Sequence, residues 1–422
     1  MMFFSTCARV QEIWCRIHFL LPMQVAARAA CVSRSFLHSW RCHPNLTFTN
    51  ETMCPKEDLK GAGLDYNNKI DHVLRNCSCA DAVTKLKLDY HVPPDDAESY
   101  HCLDSWLRMA VTPTTKELEL LVWSKEASFD FPCTLLSDRS GGSIQKLLLF
   151  RCALRPTFQL GLRSLKTLHL HDVRVTGEEL GCLLSSSTAL EQLKLVYCDD
   201  IVRLEIPCLL QRLSFLEVAG CMSLQVIENR APNLSRFYLE AGERVQVSFG
   251  ESKVKKVQLV QSCAISYAID NLPSRAPNLE TLTIYSTCER INAPMVASSK
   301  FLHLKFLSIL LMSGSNFDKD YDYLSLVPFF QASPALETFC LFVAEHSMYH
   351  LFKGDRASLR GLPQNCHGNL SKPARKCSTP RKATAIVKAR KSILVVKKYI
   401  KGNVPSTVKL NVPKPCQRCH RF

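Results

Sequence analysis

The sequence lacks an uninterrupted apolar stretch of the roughly 18 residues that a membrane-spanning helix requires. Its most apolar candidate, from Ile13 to Val32, contains Arg16, Gln24 and Arg28, and no secretory leader is expected. Glycine is scarce, at 15 of 422 residues, and neither a phosphate-binding glycine loop nor a nucleophile elbow occurs. These absences predict a non-catalytic protein of the cytosol or nucleus without a membrane anchor.

Cysteine is abundant, with 21 residues scattered through apolar segments of a long chain. Disulfide frameworks belong to small secreted domains, so this distribution favours buried, reduced thiols. Three patterns imitate metal sites: Cys416-x-x-Cys419-His420, Asp318-x-Asp320-x-Asp322 and His346-x-x-x-His350. They lack, respectively, a second ligand pair, the glycine and final glutamate of a calcium loop, and the glutamate of a zinc peptidase. We therefore expect no metal and no cofactor.

The net charge of +15 is confined to one end of the chain. From Ser371 onward there are 15 Lys and Arg and no Asp or Glu, which leaves 38 basic and 38 acidic residues in residues 1–370. A basic tail differs from the basic face that a nucleic-acid-binding fold presents. Apolar residues from Ile386 to Ile400 recur at helical spacing and predict an amphipathic helix in this tail. It would either cover the end of the preceding fold or serve nuclear import or weak phosphate binding.

One pattern recurs along most of the chain: apolar-x-x-apolar-x-apolar, as in Leu165, Leu168 and Leu170. Its copies begin at residues 83, 115, 144, 165, 190, 213, 234, 254, 279, 304 and 336. Most intervals fall within the roughly 20 to 29 residues of leucine-rich repeats. One short strand cannot bury its own apolar face, whereas stacked copies bury a continuous core. The alternative, an ordinary sheet, does not explain so many copies in register, so we predict an α/β leucine-rich-repeat solenoid.

The positions around the repeated core carry further predictions. The ninth position, where the chain turns away from the strand, is Cys152, Cys198 and Cys221 in three copies, which predicts buried thiols there. The segment from Gly177 to Ser185 has the apolar spacing of a helix, whereas Gly220 to Ala231 is too short for a full one. The outer side of the solenoid is therefore expected to be mixed.

The residues between the core positions are expected to face the concave side and to bind the substrate. They combine aromatic, hydroxyl and charged side chains, which suit a protein or a small ligand better than a polyanion. These candidates are Thr167, His169, His171, Gln192, Lys194, Phe215, Glu217, Arg236, Tyr238, Glu240, Thr281, Thr283, Tyr285 and Phe306.

Residues 11–48 differ from the repeats, because Ile13, Ile17 and Leu21 are spaced for a helix face and Pro22 can start a second helix. The module resembles an F-box in its segments Gln11-Glu12-Ile13-Trp14, Leu21-Pro22-Met23, Ala26-Ala27-Arg28, Val32-Ser33-Arg34-Ser35-Phe36 and Pro44-Asn45-Leu46. With the repeats behind it, the chain resembles the plant F-box/leucine-rich-repeat proteins, including those that carry a C-terminal FBD-type unit.

The resemblance implies a substrate-recognition adaptor subunit of an SCF-type cullin-RING E3 ubiquitin ligase. In such a complex the F-box docks on a Skp-type adaptor bound to a cullin scaffold, while the repeats hold a protein substrate. The adaptor contacts that the motif match carries over are Ile13, Ile17, Leu21, Pro22, Val32, Ser33 and Phe36.

Arg9 and Val10 stand where an F-box normally opens with Leu-Pro. Two alternatives to the ligase adaptor therefore stay open. The first is a plain repeat scaffold whose degenerate F-box only caps the solenoid, and the second, which we do not favour, is a nucleic-acid-binding protein acting through the tail. The predicted divisions are a module at 1–48, a junction at 49–82, repeats at 83–345, a partial C-terminal unit at 346–370 and the tail at 371–422.

Overall fold

The computed structural model describes residues 13–344, apart from 14–15, 18, 54–61, 77–82, 92–97, 124–128, 138–140, 157–159, 243–244, 288–298, 313–328 and 330–331. The partial C-terminal unit, the tail with its amphipathic helix, Arg9-Val10 and the three metal-like patterns lie outside the described residues. The chain divides into two compact units: residues 1–213 with 220–227, and residues 214–219 with 228–422.

The first unit opens with short helices, as the sequence predicts. Helix α1 spans Met23–Ala30 and α2 spans Arg34–Arg41, and residues 13, 16, 17, 19 and 20 are also helical. Helix α2 begins after Ser33, whose Oγ accepts a hydrogen bond of 3.2 Å from the backbone N–H of Phe36. A side-chain cap of this kind satisfies one of the amide groups that a helix start leaves unpaired.

Six parallel strands follow in chain order in this unit. They are β1 (Asn45–Phe48), β2 (Lys85–His91), β3 (Glu117–Trp123), β4 (Lys146–Phe150), β5 (Thr167–His171) and β6 (Gln192–Val196). Equivalent apolar residues lie opposite one another, so that Leu86 pairs with Leu118 and Leu168 pairs with Leu193. This register buries the apolar side chains of each strand against those of the next and confirms the predicted copies in this part of the chain.

Strand β1 is a further rung, in a segment that the sequence analysis assigned to the helical module. Its Leu46 lies opposite Leu86. The pattern missed it because its first apolar position is occupied by His43, which is only 2% exposed. The imidazole of His43 is hydrogen-bonded at both nitrogens, and a polar ring satisfied in this way can be buried at a leucine position.

Helices and a short turn connect the strands of the first unit: α3 (Asn50–Met53), α4 (Ala62–Asn76), α5 (Glu98–Ala110), a 3₁₀ turn (Cys133–Leu136) and α6 (Gly177–Ser186). The first two occupy the predicted junction. The hydroxyl oxygen of Tyr66 in α4 lies 3.1 Å from the carbonyl oxygen of Phe48 and 2.5 Å from that of Asp89, and this contact ties the helix to β1 and β2. Helix α6 confirms the predicted helix, and Thr176 and Glu179 form a reciprocal capping box at its start.

The second unit continues the same repeat. After the short strand β7 (Arg203–Ile206) of the first unit come β8 (Phe215–Ala219), β9 (Val226–Asn229), β10 (Arg236–Glu240), β11 (Gln246–Ser248), β12 (Lys256–Ser262), α7 (Ala264–Arg275), β13 (Thr281–Thr287), β14 (Phe306–Met312) and β15 (Thr338–Ala344). Strands β8, β10, β12, β13, β14 and β15 pair in parallel, with Leu216 opposite Phe237 and Leu282 opposite Leu307. The later predicted copies are therefore confirmed, and 220–231 holds β9 rather than a full helix.

The cysteines follow the prediction only in part. Cys152, Cys198 and Cys221 are free and buried at the ninth repeat position, and burial raises the pKa of Cys152. The thiol of Cys198 lies 3.6 Å from the carbonyl oxygen of Leu170. The prediction of reduced thiols is wrong for Cys42, which is disulfide-bonded. The prediction of burial is wrong for four other, free cysteines, which are exposed: Cys31, Cys102, Cys182 and Cys208. None of these four occupies a ninth position, so the repeat does not require their burial.

Candidate functional site

The residues predicted to contact a Skp-type adaptor lie on the N-terminal module. Ile13, Ile17 and Val32 are 57%, 40% and 78% exposed, which is high for aliphatic side chains. Pro22 and Ser33 are also exposed, whereas Leu21 and Phe36 are half-buried. Their exposure does not show that these side chains contact one another. Their role as contacts for a Skp-type adaptor stays a prediction.

The same module exposes three apolar residues that the motif match did not select. Leu20 is 87% exposed, Val25 is 40% exposed and Leu37 is 38% exposed. On the opposite side of α1, Met23 and Ala26 are buried. The module therefore has a covered apolar side and an uncovered one, and an uncovered apolar patch is typical of a protein interface.

All fourteen residues predicted to face the substrate lie on strands, and none of them is buried. They alternate with the buried core, so that Thr167, His169 and His171 on β5 are half-buried while Leu168 and Leu170 are fully buried. In each unit we call the side of the sheet that carries these alternate residues the repeat face. Whether they bind a substrate stays a prediction.

Charged residues cluster on the repeat face of the first unit, at positions that the sequence analysis did not select. Glu119 on β3 is 8% exposed, and the Nζ of Lys146 lies 2.6 Å from its Oε1. The Nζ atoms of Lys87 and Lys85 lie 3.8 and 4.0 Å from its carboxylate, and Lys85 is also 3.0 Å from Glu117. We call Lys85, Lys87 and Lys146 the lysine cluster.

These charges set the ionisation of Glu119. Burial on its own raises the pKa of a carboxyl group, because it disfavours the charged form. Here the hydrogen bond from Lys146 and the charges of the lysine cluster outweigh burial, so the pKa of Glu119 lies below its ordinary value. The carboxylate is therefore ionised at neutral pH, and it holds the three cations close together.

Five aromatic rings line the carboxyl ends of β2 to β6 in single file. The centroid distances are 5.7 Å from His91 to Trp123, 4.6 Å from Trp123 to Phe150, 4.9 Å from Phe150 to His171 and 5.5 Å from His171 to Tyr197. These separations favour edge-to-face and offset contacts between rings. We call this row the aromatic ladder.

Only His171 of the aromatic ladder was among the predicted substrate contacts. Phe150 occupies the repeat position of His171, but His91, Trp123 and Tyr197 occupy other positions, in part because β2 and β3 are seven residues long whereas β4, β5 and β6 have five. A pattern that reads one repeat position at a time therefore cannot find the row. The alignment of strand ends in the folded sheet brings the rings together.

Three residues beside the aromatic ladder have left-handed backbone conformations. The φ angles of Arg151, Asp172 and Tyr197 are 53°, 54° and 54°, and each residue directly follows a strand. The guanidinium of Arg151 lies 2.8 Å from Asp172 and 5.4 Å from the ring centre of Phe150. The left-handed region is unfavourable for residues other than glycine, so these three side chains stand at strained positions.

The repeat face of the second unit combines phenols, carboxylates and a cation. The hydroxyl of Tyr238 donates to Oε2 of Glu240 at 2.8 Å. Burial raises the pKa of Tyr238, and the nearby charge of Glu240 raises it further, so the phenol is neutral at neutral pH. The guanidinium of Arg236 lies 5.1 Å from the ring centre of Phe215, which is a cation–π distance.

The described residues provide no arrangement for a metal or for crossing a membrane. No group of three or more His, Cys, Asp or Glu among them is placed to hold a metal ion. Within the same part of the chain, no helix combines the length and the apolar content that a membrane span needs. The mixed polar and aromatic repeat faces are instead suited to contacts with another molecule's side chains.

Parallel strands in register, a continuous apolar core and a partly exposed opposite side define an α/β leucine-rich-repeat protein. The family described as "At1g61320/AtMIF1, LRR domain" matches residues 73–374 and 371–417, and the chain belongs to this family. The predicted leucine-rich-repeat solenoid is thereby confirmed.

Two Arabidopsis thaliana relatives confirm the resemblance to plant F-box/leucine-rich-repeat proteins. One, F-box/LRR-repeat protein At3g03360, is 24% identical over 308 residues, 71% of this chain and 59% of that protein. The other, putative F-box/FBD/LRR-repeat protein At4g03220, is 28% identical over 228 residues, 52% of this chain and 43% of that protein. The chain thus spans about half the length of these relatives.

A bacterial protein of known structure, an internalin from Listeria monocytogenes, is also similar. It shares 11% identity and matches 78% of this chain and 92% of its own, with a TM-score of 0.34. At this TM-score the likeness carries no argument about this chain.

Proposed function

We propose that this protein is a non-catalytic substrate adaptor of an SCF-type ubiquitin ligase in the cytosol or nucleus. Its N-terminal module would dock on a Skp-type adaptor, which would link it to a cullin scaffold. Its repeat faces would hold a protein substrate. The names of the two Arabidopsis relatives, which include F-box and LRR-repeat, support this assignment.

The observation that carries the proposal is the apolar surface of the module. Leu20, just before α1, and Val32, in the turn between α1 and α2, are 87% and 78% exposed, although α1 itself buries Met23 and Ala26. Exposure of apolar side chains to water is unfavourable, and a partner that covers them lowers the free energy. A module that served only as a cap would be expected to bury its apolar residues against the repeats.

The test is affinity purification of the full chain from plant cells, followed by mass spectrometry, with Val32→Asp as the variant. A charge at the centre of a packed interface is left desolvated and unpaired, so we expect Val32→Asp to lose the Skp-type adaptor and the cullin together. Val202→Asp is the matched control, because Val202 is also an exposed valine of the first unit, at 49%, but lies among the repeats. This control should retain both partners.

Absence of a Skp-type adaptor from the wild-type purification would contradict the proposal and favour the plain repeat scaffold. A point substitution is preferable to removal of residues 1–48, because β1 at Asn45–Phe48 is the first rung of the sheet. Its removal would expose the apolar residues of β2, and the loss of a partner would then have two explanations.

A further inference from the structure

We propose that the aromatic ladder and the lysine cluster of the first unit together bind one extended segment of a partner protein that carries both acidic and aromatic or aliphatic side chains. This inference deepens the proposed function and rests on it in one respect, since the segment would belong to the ligase substrate. The two features share β2 and β4, with the lysines near the middle or start of these strands and the rings at their carboxyl ends; β3 between them carries Glu119 and Trp123.

The aromatic ladder is suited to an extended chain that runs across the strands. Its rings are 4.6 to 5.7 Å apart, close to the spacing of about 4.8 Å between neighbouring strands. Trp123 and Tyr197 remain 39% and 52% exposed. An extended segment places side chains on one side about every 6.8 Å, which is longer than the ring spacing, so alternate apolar residues would lie along the row without one residue for each ring.

Two polar contacts hold part of the ladder in place before a partner arrives. The indole N–H of Trp123 donates to Asp89, and Arg151 is paired with Asp172. Burial lowers the pKa of His171, Arg151 lowers it further and Asp172 only partly opposes them. Its imidazole is therefore neutral at pH 7 and acts as an uncharged ring, and a rigid row of this kind loses little side-chain entropy on binding.

The charges beside the ladder favour an acidic partner. The lysine cluster places three cations against two carboxylates, Glu117 and Glu119, and each lysine side chain is still 35 to 39% exposed. Acidic side chains of a partner would be attracted to these ammonium groups, whereas basic ones would be repelled. Nucleic acid fits less well, because its charge is continuous and would meet Asp89 and Asp172 at the rings, whereas a peptide can place acidic residues at the lysines and apolar ones at the rings.

The backbone at the ladder's strand ends is left-handed. Arg151, Asp172 and Tyr197 adopt this conformation, which a glycine would adopt with less strain. Gly220, at a φ of 65°, occupies the equivalent position one repeat later. Cys263, directly after β12 in the second unit, has a φ of 52°, so the conformation recurs at strand ends. At the three ends beside the ladder it is adopted by residues whose side chains belong to the ladder or contact it.

The test is selection of a displayed library of random 12-residue peptides on the full-length chain. We expect the selected peptides to be enriched in Asp or Glu together with Phe, Tyr, Trp or Leu. Enrichment should fall at least about tenfold on Trp123→Ala and on Tyr197→Ala, as expected for interface aromatics, and persist on Tyr197→Phe. Lys87→Glu should remove the preference for acidic residues. Tyr285→Ala, on the repeat face of the second unit, is the control and should leave the selection unchanged.

Three results would overturn the inference: no enriched peptide, enrichment of basic peptides, or equal enrichment on the ladder variants. Preferential capture of single-stranded DNA, tested in parallel, would also count against it. Thermal unfolding of each variant excludes a general loss of structure. The outcome of the peptide selection can be distinguished from that of the ligase proposal. Trp123→Ala should keep the Skp-type adaptor. Val32→Asp should lose the adaptor and still select the same peptides.

Discussion

The Nε2 atom of His43 donates a hydrogen bond of 3.3 Å to the carbonyl oxygen of Leu21. Leu21 lies just before α1, and His43 lies just before β1, so one imidazole joins the N-terminal module to the first rung of the repeats. The other nitrogen, Nδ1, accepts from the backbone N–H of Asn45 at 3.2 Å. The attachment of the module thus depends on a buried histidine at a position where most other repeats have an apolar residue.

We expect His43→Leu to weaken this attachment. Leucine suits the apolar position, but it leaves the Leu21 carbonyl and the Asn45 amide without their partner, at a cost of about 1 to 3 kcal/mol. Urea unfolding should show this loss, and limited proteolysis should release the module before it cuts the repeats. His303→Leu, at an exposed site in the second unit, should change stability by less than about 0.5 kcal/mol. Equal stability of His43→Leu and wild type would contradict the role given to His43.

Glu119 predicts a pH dependence of stability. Its folded pKa lies below the ordinary value of 4.5, so its contribution is present above that pH and is lost as the pH falls through the folded pKa. Glu119→Gln should remove this component and cost about 1 to 2 kcal/mol at pH 7, because three lysines then face each other without the carboxylate. Thermal unfolding between pH 7 and pH 3 measures both effects. A variant whose stability declines as steeply as the wild type's below pH 4.5 would contradict the assignment.

Two glycines predict opposite effects of the same substitution. Gly220 has a φ of 65°, and an added Cβ would approach the ring of Tyr197. Gly220→Ala should therefore lower the free energy of unfolding by about 1 to 2 kcal/mol and displace a ring of the aromatic ladder. Gly181 lies within α6 with nothing within 4 Å of the added atom. Gly181→Ala should stabilise the protein by about 0.5 to 1 kcal/mol, as measured by thermal unfolding. Effects of the same sign would contradict this reasoning.

Ser33 has a structural role that is separable from its predicted adaptor contact. Its side chain caps α2, so Ser33→Ala should cost about 1 kcal/mol, whereas Ser33→Asp should retain the cap because aspartate is an equally good N-cap residue. Circular dichroism during thermal unfolding measures this difference. If Ser33 also contacts the adaptor, Ser33→Asp should keep its stability and still recover less adaptor. If both variants recover adaptor as wild type does, the contact predicted for Ser33 is wrong.

The aromatic ladder shows why part of the site could not be predicted from the sequence. The buried positions of a repeat recur at a fixed spacing, because every rung has to cover the apolar side chains of its neighbours. The rings of the ladder obey no such constraint, and they come from three different repeat positions. His91 and Trp123 take part because β2 and β3 extend two residues further than β4.

The buried histidine is a second example of this limit. A sequence pattern that counts only apolar residues rejects His43, and with it the rung at Asn45–Phe48. The ring can be buried because Leu21, distant in sequence, supplies a carbonyl oxygen next to it. Such a partner is visible only once the chain has folded.

The sequence by itself determined the repeat, the register of its apolar positions and the helical character of the N-terminal module, since each depends on side-chain periodicity within a short segment. Tertiary structure decided which polar and aromatic side chains meet. The lysine cluster around Glu119, the ladder from His91 to Tyr197 and the bond between His43 and Leu21 all join residues from separate strands or helices. Their proximity depends on strand lengths and connections, which local periodicity does not encode.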